Sequence, residues 1–419
     1  NLITNNCPLL TSIDLWGNQV LEMNNCPGLK NIKITKYEGT SFDATNAVNL
    51  ENLQLGYSDY YSGGTINFFG HLQNLTVNNN LHLKTLSIHN HTLTQFNCNG
   101  MPELQTVSIT ASSFNPMASP VPDYTTEFLQ SVNIQDCPSL TGVNFGGQEG
   151  LKSVTFKNCP SLTGFTFSDP GTNLYPNFGK LNTVYIEDCP ALSSVDVSAN
   201  KISNFTLKNT GTITLNISWN NLSSFTLLNN NNLKDLDISH NELVNFTSIN
   251  LPALEYLYAN RNQIESFSIN APNLKYLHLY SNNLTTFNIN NYPLLESMDI
   301  GGNKIVDLDI SNHSKINEVS SYIWQSSPIN QPIYLKTFNA NNCINLSSIA
   351  LESSVLEKLF LKNGVADNLY VYDGPNLQYI CCDDNEAASL QNSLSQQGIN
   401  NVNINTYCNF VPGGSYNTI

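Results

Sequence analysis

One phrase recurs along this chain about every 21 residues, and that spacing limits what it can fold into more than any other feature. Written out, the phrase is P-x-L-x-x-L-x-I-x-x-N-x-L-x-x-F-x-I, clearest between Pro252 and Ile310. Pro252, Pro272 and Pro293 open three units. Asn220, Asn241, Asn262, Asn282 and Asn303 mark the same turn in five units, and Phe205, Phe225, Phe246, Phe267 and Phe287 fill one slot in five. A fixed period of this length is the signature of a solenoid, in which each coil buries its apolar face against its neighbours alone. Length by itself would suggest two or three domains for 419 residues, but a solenoid grows in one dimension and needs no single core.

Each period holds two half-units of about ten residues. The first follows the proline, as in Leu274-x-x-Leu277-x-Leu279. The second follows the asparagine, as in Leu284-x-x-Phe287-x-Ile289. In both, the last two apolar residues flank one polar residue, the period-2 pattern of a half-buried strand. The expectation is a mainly β solenoid of two parallel sheets, stacked at about 4.8 Å per rung, with Leu, Phe and Ile between them. An inward Asn at each corner can bond the backbone groups that the turn leaves unpaired. Asp237, Asp299 and Asp309 fall on the outward face of strands, where they read as solvated repeat positions rather than a catalytic pair.

These units resemble the leucine-rich repeat family, in particular the 21-residue class with L-x-x-L-x-L-x-x-N-x-L-x-x-L-x-L units found in secreted bacterial proteins. The resemblance covers residues 5–382 and departs from the family pattern in its frequent Phe and its insertions. It implies an elongated, gently curved binding scaffold and does not imply an enzyme activity.

Composition narrows the partners. Lys plus Arg is 17 against 32 Asp plus Glu, a net charge of −15, which argues against nucleic acid and against anionic lipid. No run of 18 apolar residues exists, so no membrane-spanning helix and no direct membrane insertion are expected. The chain opens as if on the tail of a coil and closes as if a strand were starting, so it reads as a fragment of a longer protein. No phosphate-binding loop, G-x-S-x-G elbow, H-E-x-x-H or calcium repeat occurs. The expectation is therefore no catalytic residues, no cofactor and no metal, the latter including His89-Asn90-His91, for which no further ligands are evident.

Position sorts the ten cysteines. Cys7, Cys26, Cys137, Cys159 and Cys189 directly precede the repeat proline, and Cys343 takes the same slot before Ile344. Met101, Leu251, Ala271 and Tyr292 hold that slot elsewhere, so it is an inward apolar corner and these six read as free, buried thiols. Cys381, Cys382 and Cys408 lie where the repeat ends. There Asp384-Asn385-Glu386 can cap a short helix with an apolar face of Ala387, Leu390 and Leu394, and Gly398 can stop it. Val402-x-Ile404 reads as one more strand. A bridge from Cys381 or Cys382 to Cys408 would staple this cap and imply an oxidising, extracytoplasmic location. The domain reading is a solenoid over residues 1–382, a small α/β cap over 383–411 and the start of a linker or next domain over 412–419.

The cap carries a second resemblance. The segments Asn376-Leu377-Gln378-Tyr379-Ile380-Cys381, Ser389-Leu390-Gln391 and the run from Tyr407 to Tyr416 are similar to the end of the repeat domain in large surface proteins of Flavobacterium-like Bacteroidetes. That resemblance implies export by type IX secretion, with the outer-membrane secretion machinery as a partner.

Five segments break the period: Thr35–Ser41, Gly56–Thr65, Thr110–Glu127, Ser168–Lys180 and Tyr322–Tyr334. Each follows a proline-led strand, so all five should emerge at one corner, and insertions gathered on one edge often build a binding face. They carry Tyr57, Tyr60, Tyr61, Phe114, Tyr124, Tyr175, Phe178, Tyr322, Trp324 and Tyr334. These aromatics either meet a protein or sugar partner or fold back over the open corner. A second patch lies on strand faces, where alternation turns Tyr256, Tyr258, Tyr276, His278 and Tyr280 outward; Trp219, His240 and Arg261 each precede a turn Asn. That patch either holds a ligand such as a glycan ring or serves as cross-strand pairs within the sheet. The reading that follows is a non-enzymatic, extracellular or cell-surface recognition and adhesion module for a protein or polysaccharide. Its rivals are a passive spacer that presents other domains and a polysaccharide-acting enzyme.

Overall fold

The corners show why the repeat carries proline where it does. In the computed structural model of the chain, which describes residues 2–17, 21–56, 70–78, 80–111, 128–168, 179–322 and 334–408, the Leu162 amide donates to the Cys159 carbonyl at 3.1 Å. Leu192 does the same to Cys189, and Leu274 to Ala271, each at 3.1 Å. These are four-residue turns with proline second, where its fixed φ is already correct and its missing N–H is not needed. One residue earlier the backbone is left-handed: Asp136, Asn158, Asp188 and Asn209 have φ of 53°, 51°, 57° and 52°. Asn and Asp tolerate that region best among residues with side chains, which accounts for their place in the repeat.

The chain divides into two compact units, Asn1–Asn230 and Asn231–Ile419. In the first, one six-stranded sheet collects proline-led strands, Ser12–Leu15, Asn31–Ile34, Asn52–Gly56, Thr85–His89, Thr106–Thr110 and Gly142–Asn144. Another six-stranded sheet collects second-type strands, from Gln95–Asn99 through Ser131–Gln135, Ser153–Lys157, Thr183–Glu187 and Asn204–Lys208 to Thr226–Leu228. Every pairing is parallel and in register, as Val132 opposite Val154, Val154 opposite Val184 and Val184 opposite Phe205 show. In the second unit the proline-led strands are Asp235–Asp237, Tyr256–Tyr258, Tyr276–His278, Ser297–Asp299, Glu318–Ser320, Ser348–Glu352 and Asn368–Tyr372. Facing them are Asp307–Asp309, Thr337–Asn339, Lys358–Phe360, Tyr379–Cys381 and Asn403–Asn405, again all parallel. Leu254, Leu257, Leu274 and Leu277 between the layers are inaccessible to solvent. Phe246 stacks on Phe267 at 5.9 Å, and Phe267 on Phe287 at 6.2 Å. Each unit is thus built as a leucine-rich repeat solenoid.

Four of the five turn asparagines, Asn220, Asn241, Asn282 and Asn303, are buried, Asn262 is half-buried, and their side chains bond the backbone of the corner. Asn220 Nδ2 donates to the carbonyls of Val197, Ile217 and Ser218, and its Oδ1 accepts from the Ile202 amide at 2.9 Å. Asn282 repeats this in the second unit, bonding Ala259, Leu279 and Ile264. The residue before each is again left-handed, with φ of 54° at Trp219 and 56° at Ser281.

Three expectations need correction. Asp299 is not solvated: it is 8% exposed, its Oδ1 accepts from the Gly301 amide at 3.2 Å, and burial pushes its carboxyl up to about 7. It belongs to a recurring turn in which the last strand residue accepts from the amide two residues on. Asp196 with Ser198, Asn216 with Ser218, Asp237 with Ser239 and Asp309 with Ser311 do the same. The half-unit ending at Ile289 is not a strand; Ile289–Asn291 forms a 3-10 turn, capped by the Asn288 side chain, which accepts from the Asn290 amide at 3.1 Å. Cys7, read as a buried corner thiol, is half-buried.

The other five corner cysteines are buried and unbridged, as is Cys98, whose sulfur lies 3.7 Å from that of Cys137. That sulfur contact and burial push the Cys98 thiol up. At the end of the second unit Cys381 is joined to Cys408 across a sequence separation of 27, with Cα atoms 5.0 Å apart. Cys382 stays a thiol, and burial pushes it up to about 12. The helix is Ala387–Gln396, with Leu390 and Leu394 buried, but Glu386 at its N-cap makes no side-chain capping bond and accepts from the Asp383 amide at 3.2 Å instead. Gly398, at φ 78°, ends it, and the Ile399 amide returns to the Leu394 carbonyl at 2.9 Å. Just past the helix, Gln397 lies along strand Asn368–Tyr372. Its Oε1 accepts from the Val371 amide at 2.8 Å and its Nε2 donates to the Leu369 carbonyl at 3.1 Å. One side-chain amide therefore stands where the next strand's peptide group would bond.

Candidate interaction face

Four of the five interruptions fall wholly or largely outside the described residues, and with them Tyr57, Tyr60, Tyr61, Phe114, Tyr124, Tyr175, Phe178 and Trp324. The described one, Thr35–Ser41, folds back. Tyr37 is fully buried, its hydroxyl donates to the Ser41 carbonyl at 2.6 Å, and its ring meets Phe42 edge-on at 5.6 Å.

The strand patch is present as a face. Parallel pairing without slip sets Tyr256 opposite Tyr276 and Tyr258 opposite His278. All four side chains point away from the core and are half-buried, with Leu257 and Leu277 inward between them. The Tyr256 and Tyr276 rings stack at 4.8 Å with 1° between planes, and Tyr258 and His278 at 5.0 Å with 12°. A strand spacing of about 4.8 Å brings flat rings into contact, so the sheet itself sets the ring separation. Tyr280, beyond the strand, is half-buried.

Two in-register columns frame the rings. One runs Asp235, Tyr256, Tyr276, Ser297, Glu318; the other runs Asp237, Tyr258, His278, Asp299, Ser320. The carboxylates leave their mark on the rings' titration. Glu296 and burial push the Tyr276 hydroxyl up. Burial, with Asp235 and Asp237 adding to it, does the same to Tyr258. Burial lowers His278, against an upward pull from Glu318 and Asp237. One column over, Glu255 sits between Lys234 at 3.1 Å and Lys275 at 2.9 Å, so those lysines are already paired.

The equivalent face of the first unit is different. Its proline-led strands turn out Ser12 and Asp14, Asn31 and Lys33, Asn52 and Gln54, Thr85 and Ser87, Thr106 and Ser108, and Thr214 and Asn216, with no Tyr, Trp or Phe among them. Two rings of the second unit escape the sequence reading. Tyr370 and Tyr372 on Asn368–Tyr372 are 47% and 44% exposed, and Tyr372 lies 4.6 Å from Tyr322. Strict alternation in Asn368-Leu-Tyr-Val-Tyr372 was the available signal.

Other candidates lie apart from this face. Trp219, His240 and Arg261 sit at the left-handed corner, with φ of 54°, 54° and 55°. His89 contacts Thr110 Oγ1 at 2.9 Å, whereas His91 is buried and burial lowers it to about 4. No group of three His, Cys, Asp or Glu suited to a metal occurs among the described residues. In the first unit a shallow groove of about 730 Å³ follows the proline corners, lined by Asp136, Pro138, Asn158, Pro160, Asp188, Pro190 and Asn209. Its polar wall is already bonded internally, Asn158 to Asp136 at 2.7 Å and Asn209 to Asp188 at 2.8 Å.

No protein-family model matches the chain, and neither does any curated protein. Among solved structures it is similar to YopM from Yersinia enterocolitica, at 18% identity over 89% of this chain and 82% of that one, with a TM-score of 0.33. It is also similar to the APL1 leucine-rich repeat domain, at 13% identity over 96% and 94% of the two chains, with a TM-score of 0.35. A third likeness is to the functional domain of InlJ from Listeria monocytogenes, which includes a cysteine ladder, at 15% identity over 90% and 68%, with a TM-score of 0.21.

Proposed function

We propose that this chain is a non-enzymatic recognition module that binds a protein partner on the ring-bearing sheet face of Asn231–Ile419, in an extracellular or cell-surface setting. The observation that carries the reading is confinement. Stacked rings occupy the outward positions of Tyr256–Tyr258 and Tyr276–His278, while the matching strand positions of the first unit hold polar or charged residues and no ring. A passive spacer has no use for such a difference. Rings anchored by a rigid sheet supply contact area at little entropic cost, as binding hot spots do. Their mutual stacking fixes the ring planes and leaves one outer face on each ring open to a partner. The Cys381–Cys408 bond supports an oxidising location. The interruptions that carry Tyr57, Tyr124 and Trp324 enter the proposal, on sequence grounds, as a second contact region.

The test is a binding screen against surface proteins and glycans, followed by affinity measurement on any confirmed ligand with Tyr258→Ala and Tyr276→Ala. Thr85→Ala and Thr106→Ala on the first unit serve as controls. Each tyrosine variant should weaken binding at least tenfold while the controls do not. Unchanged affinity in both tyrosine variants rules this face out.

A further inference from the structure

The surroundings of the rings define the chemistry of what they meet. Across seven consecutive strands the two outward columns hold Asp235, Asp237, Asp299 and Glu318, and no lysine or arginine. The four rings form a ridge two strands wide. On one side the outer faces of Tyr256 and Tyr258 look toward Asp235 and Asp237. On the other, Tyr276 and His278 look over Ser297 and Asp299. Ser297 is short, and Asp299 is buried and turned to the Gly301 amide, so this strand is the floor of a trough. Glu318 stands on the far wall, its Oε2 accepting from Ser297 Oγ at 3.2 Å, and Glu296 closes one end, its Oε2 accepting from the Tyr276 hydroxyl at 3.4 Å. An aromatic face opposite a carboxylate, across the width of one strand, is the arrangement that attracts an ammonium or guanidinium group.

We infer that the partner presents lysine or arginine side chains, which pack against the outer ring faces of the ridge, beside Asp235 and Asp237 on one side and over Ser297 toward Glu318 on the other. This deepens the proposed function and rests on it. Charge complementarity selects the occupant. The two outward columns are acidic and hold no cation of their own, and the adjoining Lys275, with Lys234, is held by Glu255. Glu296 is the main cause of the upward shift of the Tyr276 hydroxyl, and at Tyr258 Asp235 and Asp237 add to the larger effect of burial.

The experiment titrates the full chain with a lysine–glycine peptide, its Nε-acetylated form and the matching glutamate–glycine peptide, read by calorimetry. The lysine peptide should bind and the other two should not. Glu296→Gln with Glu318→Gln, and separately Tyr276→Ala, should each weaken it at least tenfold, with thermal unfolding confirming the fold. Asp14→Asn with Glu22→Gln in the first unit removes the same charge elsewhere and should change binding less than twofold. Equal loss from the two charge-neutralised pairs means only bulk attraction to an acidic protein and overturns the inference, as does equal binding of the acetylated peptide. If the tyrosine variants abolish binding of a natural partner and the glutamine pair does not, the recognition reading stands and the basic-segment inference falls. If neither matters, both fall.

Discussion

Replacing Asn282 by Ala tests the physical account of the coil most directly. Asn282 is 2% exposed, and its side chain serves three backbone groups. Nδ2 donates to the Ala259 carbonyl at 3.0 Å and to the Leu279 carbonyl at 2.9 Å, while Oδ1 accepts from the Ile264 amide at 2.9 Å. Alanine removes all three bonds and leaves the Ile264 N–H buried without its partner, while the Ala259 and Leu279 carbonyls each keep one donor, Asn262 Nδ2 at 3.2 Å and Asn303 Nδ2 at 2.9 Å. At roughly 1 kcal/mol per hydrogen bond made, and up to 3 kcal/mol for a buried group left unsatisfied, the expected loss is about 3–5 kcal/mol. Water entering the cavity holds it toward the lower end. The neighbouring Asn283 is the internal control: it is half-exposed and makes one long contact, Nδ2 to the Gln263 carbonyl at 3.4 Å. Asn283→Ala should cost less than about 1 kcal/mol. Urea unfolding, followed by far-ultraviolet circular dichroism, measures both. Because coils couple mainly to neighbours, local amide exchange around Ala259–Ile264 should rise before global unfolding does. A loss below about 1 kcal/mol for Asn282→Ala would show that the buried amide row is decorative and that the Leu positions alone hold the corner.

Three further predictions concern the cap. Asp367 Oδ1 accepts from Asn363 Nδ2 at 2.9 Å, its Oδ2 is buried without a partner, and burial, reinforced by Glu386 and Asp383, pushes the carboxyl up to about 7. The folded state thus keeps a proton that the unfolded chain releases near pH 4, so Asp367 adds stability below pH 4 that is lost as pH rises to 7, at most about 4 kcal/mol. Asp367→Asn should flatten the stability profile between those limits; an unchanged slope refutes the assignment. Cys408→Ser removes a loop closure of 27 residues, worth about 3.5 kcal/mol in the chain-entropy model, and should loosen amide protection in 383–408 first; uniform loss along the chain would argue against a local staple. Gln397→Ala unpairs the Val371 amide and Leu369 carbonyl, so light scattering should detect concentration-dependent self-association, and a strictly monomeric variant would count against edge protection.

The fold was legible because period and alternation are both geometric: 21 residues per coil and two per strand repeat leave one way to stack Leu257 on Leu277. The same parity placed Tyr256, Tyr258, Tyr276 and His278 on one face. What escaped was whatever parity does not encode. Asp299 sits at an outward position, yet the backbone after it turns and brings an amide to its carboxylate, so burial follows from the turn and not from the strand. Leu284-x-x-Phe287-x-Ile289 has the letters of a strand, but Asn288 can satisfy the Asn290 amide itself and a 3-10 turn wins. Between Cys381 and Cys408 or Cys382 and Cys408 the sequence offered no choice, because Tyr379–Cys381 is buried on both faces and alternation loses its meaning there.

Gln397 gives one of the two sheets a molecular full stop. A parallel in-register stack is a template: each rung displays the donors and acceptors that the next one needs, as a crystal face displays sites for the next layer. Such an object has no intrinsic length. Here the ladder through Asn368–Tyr372 is answered by a single glutamine, whose two terminal atoms imitate one peptide group and offer nothing on their far side to copy. The edge of this sheet is then closed by one residue's chemistry, while the facing sheet runs on to Asn403–Asn405, and a sequence change at Gln397 alters what that one edge can recruit rather than how any one coil folds.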